Sequence, residues 1–284
     1  MSDVPTVKLS NGNTMPLLGF GVFQMNNDEA ETSVLEAIKA GYRLIDTATS
    51  YGNEEAVGRA IKQSGVPRDE LFITSKLWLN DVSEEGAKAG LQRSLDKLGL
   101  EYIDLYLLHQ PYGDVFGAWR GLEAMYDAGK VKAIGISNFN TVQTYDIHYN
   151  ARIKPMVNQI ETHPFNQQVE AHKLLTELDI VHEGWAPFAE GQHDIFTNEL
   201  LGGIAKVHSK SIAQVILRWS IQRGVVSIPK SVDMQRIVEN FDVFDFELSD
   251  EEMAAIATLD QKLNTVNHND PAFLKYLLNR TYGK

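Results

Sequence analysis

The sequence has no cysteine and no long apolar run among its 284 residues. Without cysteine, disulfide bonds, catalytic thiolates and cysteine-ligated metal sites are excluded. No stretch approaches the ~18 apolar residues of a membrane span. The opening MSDVPTVKLS also lacks the basic and apolar regions of a signal peptide. We therefore expect a cytoplasmic protein that does not enter a membrane.

Positive charge is scarce as well. Lys and Arg number 26 against 38 Asp and Glu, which gives a formal net charge of −12. A nucleic-acid-binding surface needs a basic stripe, so this balance argues against nucleic acid as a partner. It leaves room for a small anionic ligand, because a few neighbouring cations can form a positive pocket on an acidic protein. A hydrophobic content of 43% is ample for one continuous core.

Short apolar runs typical of buried strands recur along the chain, and amphipathic helical patterns separate them. The eight predicted strands are 17–21, 42–46, 71–76, 102–109, 132–137, 156–161, 180–185 and 225–229. No linker rich in Pro, Gly or Ser interrupts the series. Eight strand–helix units predict a single α/β domain over 1–284, a (β/α)₈ TIM barrel rather than an open doubly wound sheet.

Two further segments extend this barrel pattern. The Asn-Gly turn in SNGN, near the N terminus, predicts a β-hairpin before the first barrel strand. The interval before the eighth strand is longer than the others. We interpret its residues 191–208 as a long loop at the C-terminal face of the barrel.

Titratable side chains stand at or just after the ends of three consecutive predicted strands: Asp46, Tyr51, Lys76 and His109. Each has an ordinary structural interpretation, as a turn cap, a loop aromatic, a surface lysine or a core histidine. In a barrel, however, the carboxyl ends of the strands form the catalytic mouth. Their shared placement therefore favours a site.

The chemistry available to these four groups is specific. A phenol with an ordinary pKa of about 10 is a poor proton donor at neutral pH. A neighbouring ammonium would stabilise the phenolate and lower that pKa, and a carboxylate would keep the ammonium charged. A neutral imidazole could orient a carbonyl oxygen. Such a group can protonate a carbonyl oxygen while hydride reaches the carbon. No side chain supplies hydride, so a cofactor is required.

The motifs around these residues resemble the aldo-keto reductase family over about residues 7–275. The segments are GYRLIDTATSYGNEEAVG, ITSKLW, DLYLLHQP, IGISNF, NQIE, IPKS and FDFELSDEEM, and prokaryotic members of the 2,5-diketogluconate reductase type are the most similar. The resemblance implies NADPH-dependent reduction of small-molecule carbonyl substrates, namely aldehydes, α-dicarbonyls or sugar-derived ketones. It makes Tyr51 the proton donor of a tetrad with Asp46, Lys76 and His109. We expect a monomer.

The same resemblance assigns the cofactor and substrate contacts. It implies that Ser137, Asn138 and Gln159 hold the nicotinamide carboxamide of NADPH and that Glu239 and Asn240 lie at its adenine, with further cofactor contacts from Val22, Phe23, Phe188 and Val232. Trp185 would stack on the nicotinamide ring, and Lys230, Ser231 and Arg236 would bind the 2′-phosphate. Phe23, Trp78, His109 and Gln110 would line the substrate pocket, with the tail around 268–273 closing it.

The chain departs from the family pattern in places. Gln110 follows the tetrad histidine where the family often has Trp, which predicts a more polar pocket. Ala186 and Phe188 stand where Ser and Leu are frequent, so one hydroxyl contact with the pyrophosphate is absent. GFGVFQ has two glycines of a Rossmann fingerprint but no third, so NADPH would be held without a Rossmann domain.

Three other functions fit parts of the pattern. A Schiff-base aldolase or dehydratase would use Lys76 as nucleophile, but such a lysine lacks a strong acid partner, and Asp46 argues against it. A metal hydrolase is disfavoured because no His-x-His follows the first strand. An NADPH-binding redox sensor with little turnover is the main alternative, and it would share the cofactor contacts.

Overall fold

The computed structural model describes residues 4–282, in which eight parallel strands form a barrel behind a short antiparallel hairpin. The hairpin strands are β1 (Thr6–Lys8) and β2 (Thr14–Pro16). The barrel strands are β3 (Gly19–Gly21), β4 (Leu44–Asp46), β5 (Phe72–Leu77), β6 (Leu105–Leu108), β7 (Ile134–Ser137), β8 (Val157–Glu161), β9 (Val181–Trp185) and β10 (Val226–Ser227). The predicted hairpin and all eight predicted strands are confirmed.

The barrel closes between its first and last strands. Strands β3 to β10 pair with their neighbours in chain order. The N–H of Ser227 then donates to the carbonyl of Leu17 at 2.9 Å, and the N–H of Gly21 donates to that of Pro229 at 3.1 Å. Closure removes the free edges of the sheet, so the carboxyl ends of all eight strands meet around one mouth.

Helices connect the strands on the outside. They are α1 (Asn27–Ala40), α2 (Glu54–Ser64), α3 (Glu84–Leu98), α4 (Val115–Asp127), α5 (Thr141–Asn150), α6 (Val169–Glu177), α7 (Glu199–His208), α8 (Ile212–Gln222), α9 (Met234–Phe241), α10 (Asp250–Ala257) and α11 (Pro271–Tyr282). Local signals fix the ends of α3. The Ser83 side chain accepts from the N–H of Gly86 at the start of α3, and Gly99 ends that helix with a φ of 67°.

The prediction of a loop over 191–208 is wrong for its second half. Glu199–His208 form α7, and the side chain of Asn198 caps it by accepting from the N–H of Leu201. Leu201 and Ile204 are buried on one face of this helix. Two adjacent glycines lower its intrinsic helix propensity and obscured it. The spacing of the buried residues was the available signal.

The helices of the barrel are amphipathic and surround a buried core. Within residues 4–282, none of the helices combines the length and the hydropathy needed to cross a lipid bilayer.

Candidate active site

Three of the four predicted catalytic residues form one hydrogen-bonded group in the barrel mouth. The ammonium of Lys76 on β5 donates to Asp46 Oδ1 at 2.5 Å, to the carbonyl of Thr47 at 3.1 Å and to the Tyr51 hydroxyl at 3.3 Å. The side chains of Lys76 and Asp46 are only 0% and 3% exposed. The lysine is therefore the centre of a buried cluster, which is a poor environment for a nucleophilic amine.

Tyr51 occupies a 3₁₀ turn, Thr49–Tyr51, that follows β4 directly. Gly52 ends the turn with a φ of 71°, a conformation that glycine adopts without steric cost. The phenol ring is half-buried and contacts Phe23 at 5.0 Å and His109 at 5.7 Å between ring centroids. The short turn thus brings the phenol over the lysine and beside the imidazole.

His109 follows β6 and completes the predicted set. Its ring lies edge-on to Trp78 at 5.0 Å, and its Nδ1 lies 3.5 Å from the Ser50 hydroxyl. Burial lowers the pKa of His109 well below 6.5, and the nearby charge of Lys76 lowers it further. The imidazole is therefore neutral at pH 7, as the carbonyl-orienting role requires.

Opposing effects determine the pKa of the Tyr51 phenol. Burial raises the pKa of Tyr51, Lys76 lowers it and Asp46 raises it, so the net pKa lies above 10. The effect expected of Lys76 is present but smaller than the cost of burying a phenolate. Burial alone would lower the pKa of Lys76, but Asp46 and Tyr51 raise it more, which keeps the ammonium charged.

The predicted nicotinamide contacts adjoin this cluster and bond to one another. Gln159 Nε2 donates to Asp46 Oδ2 at 2.9 Å, and the Ser137 hydroxyl donates to the carbonyl of Gln159 at 3.0 Å. Trp185 Nε1 donates to Asn138 Oδ1 at 2.9 Å, with Asn138 in the left-handed region at a φ of 64°. The ends of β7, β8 and β9 thus connect directly to the tetrad through Gln159.

The predicted 2′-phosphate contacts gather at the N terminus of α9. Lys230 and Arg236 are exposed, and Ser231 is buried between them. The carboxylate of Asp233 caps this helix and accepts from the N–H groups of Gln235 at 2.9 Å and Arg236 at 3.0 Å. The exposed cations of Lys230 and Arg236 are therefore better placed to bind a phosphate than these two N–H groups.

The other predicted cofactor residues lie around the same rim. Val22 is fully buried, Val232 is exposed, Glu239 and Asn240 lie on α9, and Phe188 packs on Phe196 with ring centroids 5.6 Å apart. Because the side chain of Val22 is inaccessible, only its backbone could face a ligand. The set is continuous around the mouth between the tetrad and α9.

The predicted substrate residues give the mouth an aromatic wall. Phe23 is 45% exposed, and together with Trp78 it surrounds the phenol of Tyr51 and the imidazole of His109. Gln110 is buried, and its Oε1 has no hydrogen-bond partner among residues 4–282. Phe23 and Trp78 thus give this wall an aromatic surface, and Gln110 adds a buried amide beside it.

The C-terminal segment covers part of this mouth. Trp78 Nε1 donates to the Thr281 hydroxyl on α11 at 2.9 Å, and the Tyr112 hydroxyl donates to the carbonyl of His268. The His268 ring lies 6.1 Å from that of Trp185. Burial lowers the pKa of His268 to about 4, so this histidine is also neutral at pH 7. The tail therefore narrows the entrance.

Two buried acids were missed from the sequence. Glu161, at the end of β8, accepts from the N–H of Thr265 at 2.6 Å and thereby anchors the tail. Glu183 lies in the middle of β9 and is fully buried. An acid inside a short buried strand was the signal for Glu183. In the part of the chain that the structure describes, no group of three His, Asp or Glu residues could hold a metal ion.

Comparison with known proteins gives consistent matches. A model of the aldo/keto reductase family matches residues 17–261. The chain is 51% identical over 258 residues to the glyoxal reductase of Bacillus subtilis, covering 90% of this chain and 93% of that protein. It is 42% identical over 264 residues to the methylglyoxal reductase DkgA of Escherichia coli, covering 92% and 95%. The crystal structure of a Bombyx mori aldo-keto reductase in complex with NADP has a TM-score of 0.91 and 36% identity, covering 97% of this chain and 98% of that one.

Proposed function

Because the chain belongs to the aldo/keto reductase family, we propose that it reduces small aldehydes and α-dicarbonyl compounds to alcohols, with NADPH as cofactor and Tyr51 as proton donor. Membership of the family makes the protein an NADP-dependent oxidoreductase that acts on carbonyl groups. The substrate class follows the glyoxal and methylglyoxal reductases that the chain resembles. A narrow aromatic mouth suits such compact substrates.

The single observation that carries the proposal is the direction of the hydrogen bond from Lys76 to Tyr51. The hydroxyl oxygen of Tyr51 accepts from the ammonium at 3.3 Å, so its own proton is free to point towards a ligand. When that proton passes to a carbonyl oxygen, the phenolate left behind lies next to a positive charge. Asp46 holds this charge in place through a 2.5 Å bond. The cluster thus stabilises the state that proton donation creates.

His109 has a separate task in this arrangement. Its neutral imidazole lies against the Tyr51 ring and can donate one N–H to the carbonyl oxygen that Tyr51 protonates. A neutral donor orients the oxygen without competing with Tyr51 as the acid. Trp78 and Phe23 enclose the reacting group from the sides and limit the access of water.

The residues at the mouth fit NADPH. The indole of Trp185, held by Asn138, offers a half-buried flat surface for a ring. Ser137, Asn138 and Gln159 offer hydroxyl and amide groups for a carboxamide. Two exposed cations at α9, Lys230 and Arg236, match a 2′-phosphate and have no equivalent use for NADH. When bound, NADPH supplies the hydride that the carbonyl carbon receives.

A comparison of two Tyr→Phe variants tests the proposal. Tyr51→Phe removes the hydroxyl and keeps the ring, so kcat for methylglyoxal should fall at least about 100-fold while the Kd for NADPH stays constant. Tyr106→Phe is the matched control, because its buried hydroxyl bonds to Ser94 on α3 at 3.1 Å and not to a residue of the tetrad. It should retain wild-type kcat. Retention of more than about a tenth of kcat by Tyr51→Phe would contradict the assignment.

The same assay separates the reductase from an NADPH-binding sensor. A sensor would bind NADPH but turn over glyoxal, methylglyoxal and sugar-derived ketones negligibly. The complete buried tetrad favours the enzyme, since a sensor has no use for a charged lysine beneath a phenol. A panel of carbonyl compounds ranked by kcat/KM, with NADPH absorbance as readout, also orders the substrates.

A further inference from the structure

Glu183 lies inside the barrel, next to the catalytic cluster. On β9 it pairs in register with Gln159 of β8, whose side chain reaches Asp46. Residues in register on neighbouring strands point to the same face of a sheet, and side chains two apart do so as well. Trp185, two residues further on, also points into the mouth. The carboxyl group of Glu183 therefore forms the layer directly beneath the Trp185 indole.

The adjacent residue confirms this orientation. His182 faces the outside of the barrel, where its ring contacts His172 on α6 at 3.1 Å between Nδ1 atoms. Because side chains alternate along a strand, Glu183 faces the opposite way. It is 0% exposed, and neither carboxyl oxygen has a hydrogen-bond partner within residues 4–282. A buried carboxylate without a partner is costly, so this group favours its protonated form.

Few charges face this carboxyl group. The charged residues are Asp46 on β4 and Lys76 on β5, and the titratable phenol of Tyr51 follows β4, while β8 contributes the amide of Gln159 and β10 the apolar Val226. Burial first, and then the charge of Asp46, raise the pKa of Glu183 to about 8, although the Gln159 amide and the charge of Lys76 lower it in part. The carboxyl group is therefore mostly neutral at pH 7 and ionises in the alkaline range.

We propose that Glu183 is a positioning residue for the reaction: as a neutral acid it leaves the charges of Asp46 and Lys76 balanced, and when ionised it opposes formation of the Tyr51 phenolate. This inference rests on the proposed function, because it acts through the proton that Tyr51 exchanges. The carboxyl group acts on the reaction indirectly. It sets the charge of the cluster, and the cluster sets the acidity of the phenol.

The direction of the effect follows from charge. Ionised Glu183 places a second negative charge near Tyr51 and raises its pKa. Replacing Glu183 by the neutral Gln removes that charge at every pH. The apparent pKa assigned to Tyr51 should therefore fall in Glu183→Gln, by about 1 unit as for other neighbouring like charges. Oxidation of the alcohol, in which phenolate is the base, should then begin at a lower pH.

The test is to measure pH–rate profiles from pH 6 to 10 for three variants, for both carbonyl reduction and alcohol oxidation. Glu183→Gln should keep kcat within about threefold of the wild-type value at pH 6.5, where Glu183 is neutral anyway. It should shift the alkaline limb of the profile to lower pH. Glu183→Asp keeps a titrating group and should preserve the wild-type limb. Glu123→Gln is the matched control, a buried acid on α4 that bonds the N–H of Ile153 far from the mouth. Its profile should not change.

Thermal unfolding gives a readout that is independent of activity. A carboxyl group whose folded pKa exceeds its unfolded value contributes stability below the unfolded pKa and loses it as pH rises to the folded one. The Tm of Glu183→Gln relative to wild type should therefore increase between pH 5 and pH 8. A constant Tm difference, or an unshifted alkaline limb, would overturn the inference. If Tyr51→Phe is inactive but Glu183→Gln has an unshifted limb, only this inference fails, whereas an active Tyr51→Phe removes the proposed function.

Discussion

The buried ion pair between Lys76 and Asp46 should be strongly coupled energetically. Lys76→Met leaves the Asp46 carboxylate buried with a single side-chain hydrogen bond, from Gln159 Nε2 at 2.9 Å. Asp46→Asn leaves a buried ammonium whose acceptors are all neutral, namely the Thr47 carbonyl, the Tyr51 hydroxyl and the amide oxygen introduced at position 46. Removing one partner of a buried pair typically costs about 3–5 kcal/mol, because the other charge is left uncompensated.

The double variant distinguishes pairing from simple loss of contacts. Asp46→Asn/Lys76→Met removes both charges together, so it should cost no more than either single variant. The coupling energy should then be about 3 kcal/mol, at the upper end for residues in contact. Urea unfolding followed by circular dichroism measures all three values. The exposed pair of Lys39 and Glu36, at 2.7 Å, is the control, and Lys39→Met should cost less than about 1 kcal/mol.

The same variants carry a catalytic expectation. Without the ammonium, the phenolate of Tyr51 loses its nearest positive charge, so the apparent pKa of the base in alcohol oxidation should rise in Lys76→Met. Asp46→Asn should act less severely, since the lysine remains but is held less firmly. Additive stability losses, or costs as small as that of the surface pair, would refute the reasoning. An unshifted profile in Lys76→Met would make the lysine purely structural.

Two further predictions concern cofactor choice and pH. Arg236→Ala should weaken NADPH binding about ten- to a hundredfold and leave NADH binding unaffected, since a charge-assisted hydrogen bond contributes about 1.5–3 kcal/mol. Titrations with each nucleotide, followed by Trp fluorescence, measure both affinities, and Asp233→Asn should tighten NADPH binding selectively. Equal losses for NADPH and NADH in Arg236→Ala would exclude a role for Arg236 in binding the 2′-phosphate. Burial holds the pKa of His109 well below 6.5, so kcat/KM for reduction should not fall between pH 7 and pH 6; a limb near pH 6.5 that disappears in His109→Gln would contradict a neutral imidazole.

Local sequence was sufficient to predict the barrel and the placement of Asp46, Tyr51, Lys76 and His109 at its mouth. Each strand was recognisable as a short apolar run, and most helices as amphipathic patterns between the strands. In a closed parallel barrel every strand ends at the same mouth, so Asp46, Lys76 and His109 had to converge whatever the helices did. Tyr51 followed because only a short turn separates it from β4. The resemblance to a family then supplied roles that spacing alone could not.

Other features depended on contacts between distant segments. α7 was hidden because its stability comes from packing Leu201 and Ile204 into a core cluster rather than from its glycine-weakened propensity. The net pKa of Tyr51 lies above 10 because burial by several elements exceeds the effect of one lysine. The cap on α9 makes its N terminus less available to a phosphate, since Asp233 already accepts from two of its N–H groups.

The orientation of the Glu183 side chain could not be predicted from the sequence. The strands of a parallel barrel are buried on both faces, one against the interior and one against the helices, so they lack the polar and apolar alternation that reveals a strand's inner side. The sequence IVHEGW places a histidine and an acid on opposite faces of β9. Which of them enters the barrel was decided by the register of β9 against β8, which pairs Glu183 with Gln159 and directs His182 towards α6.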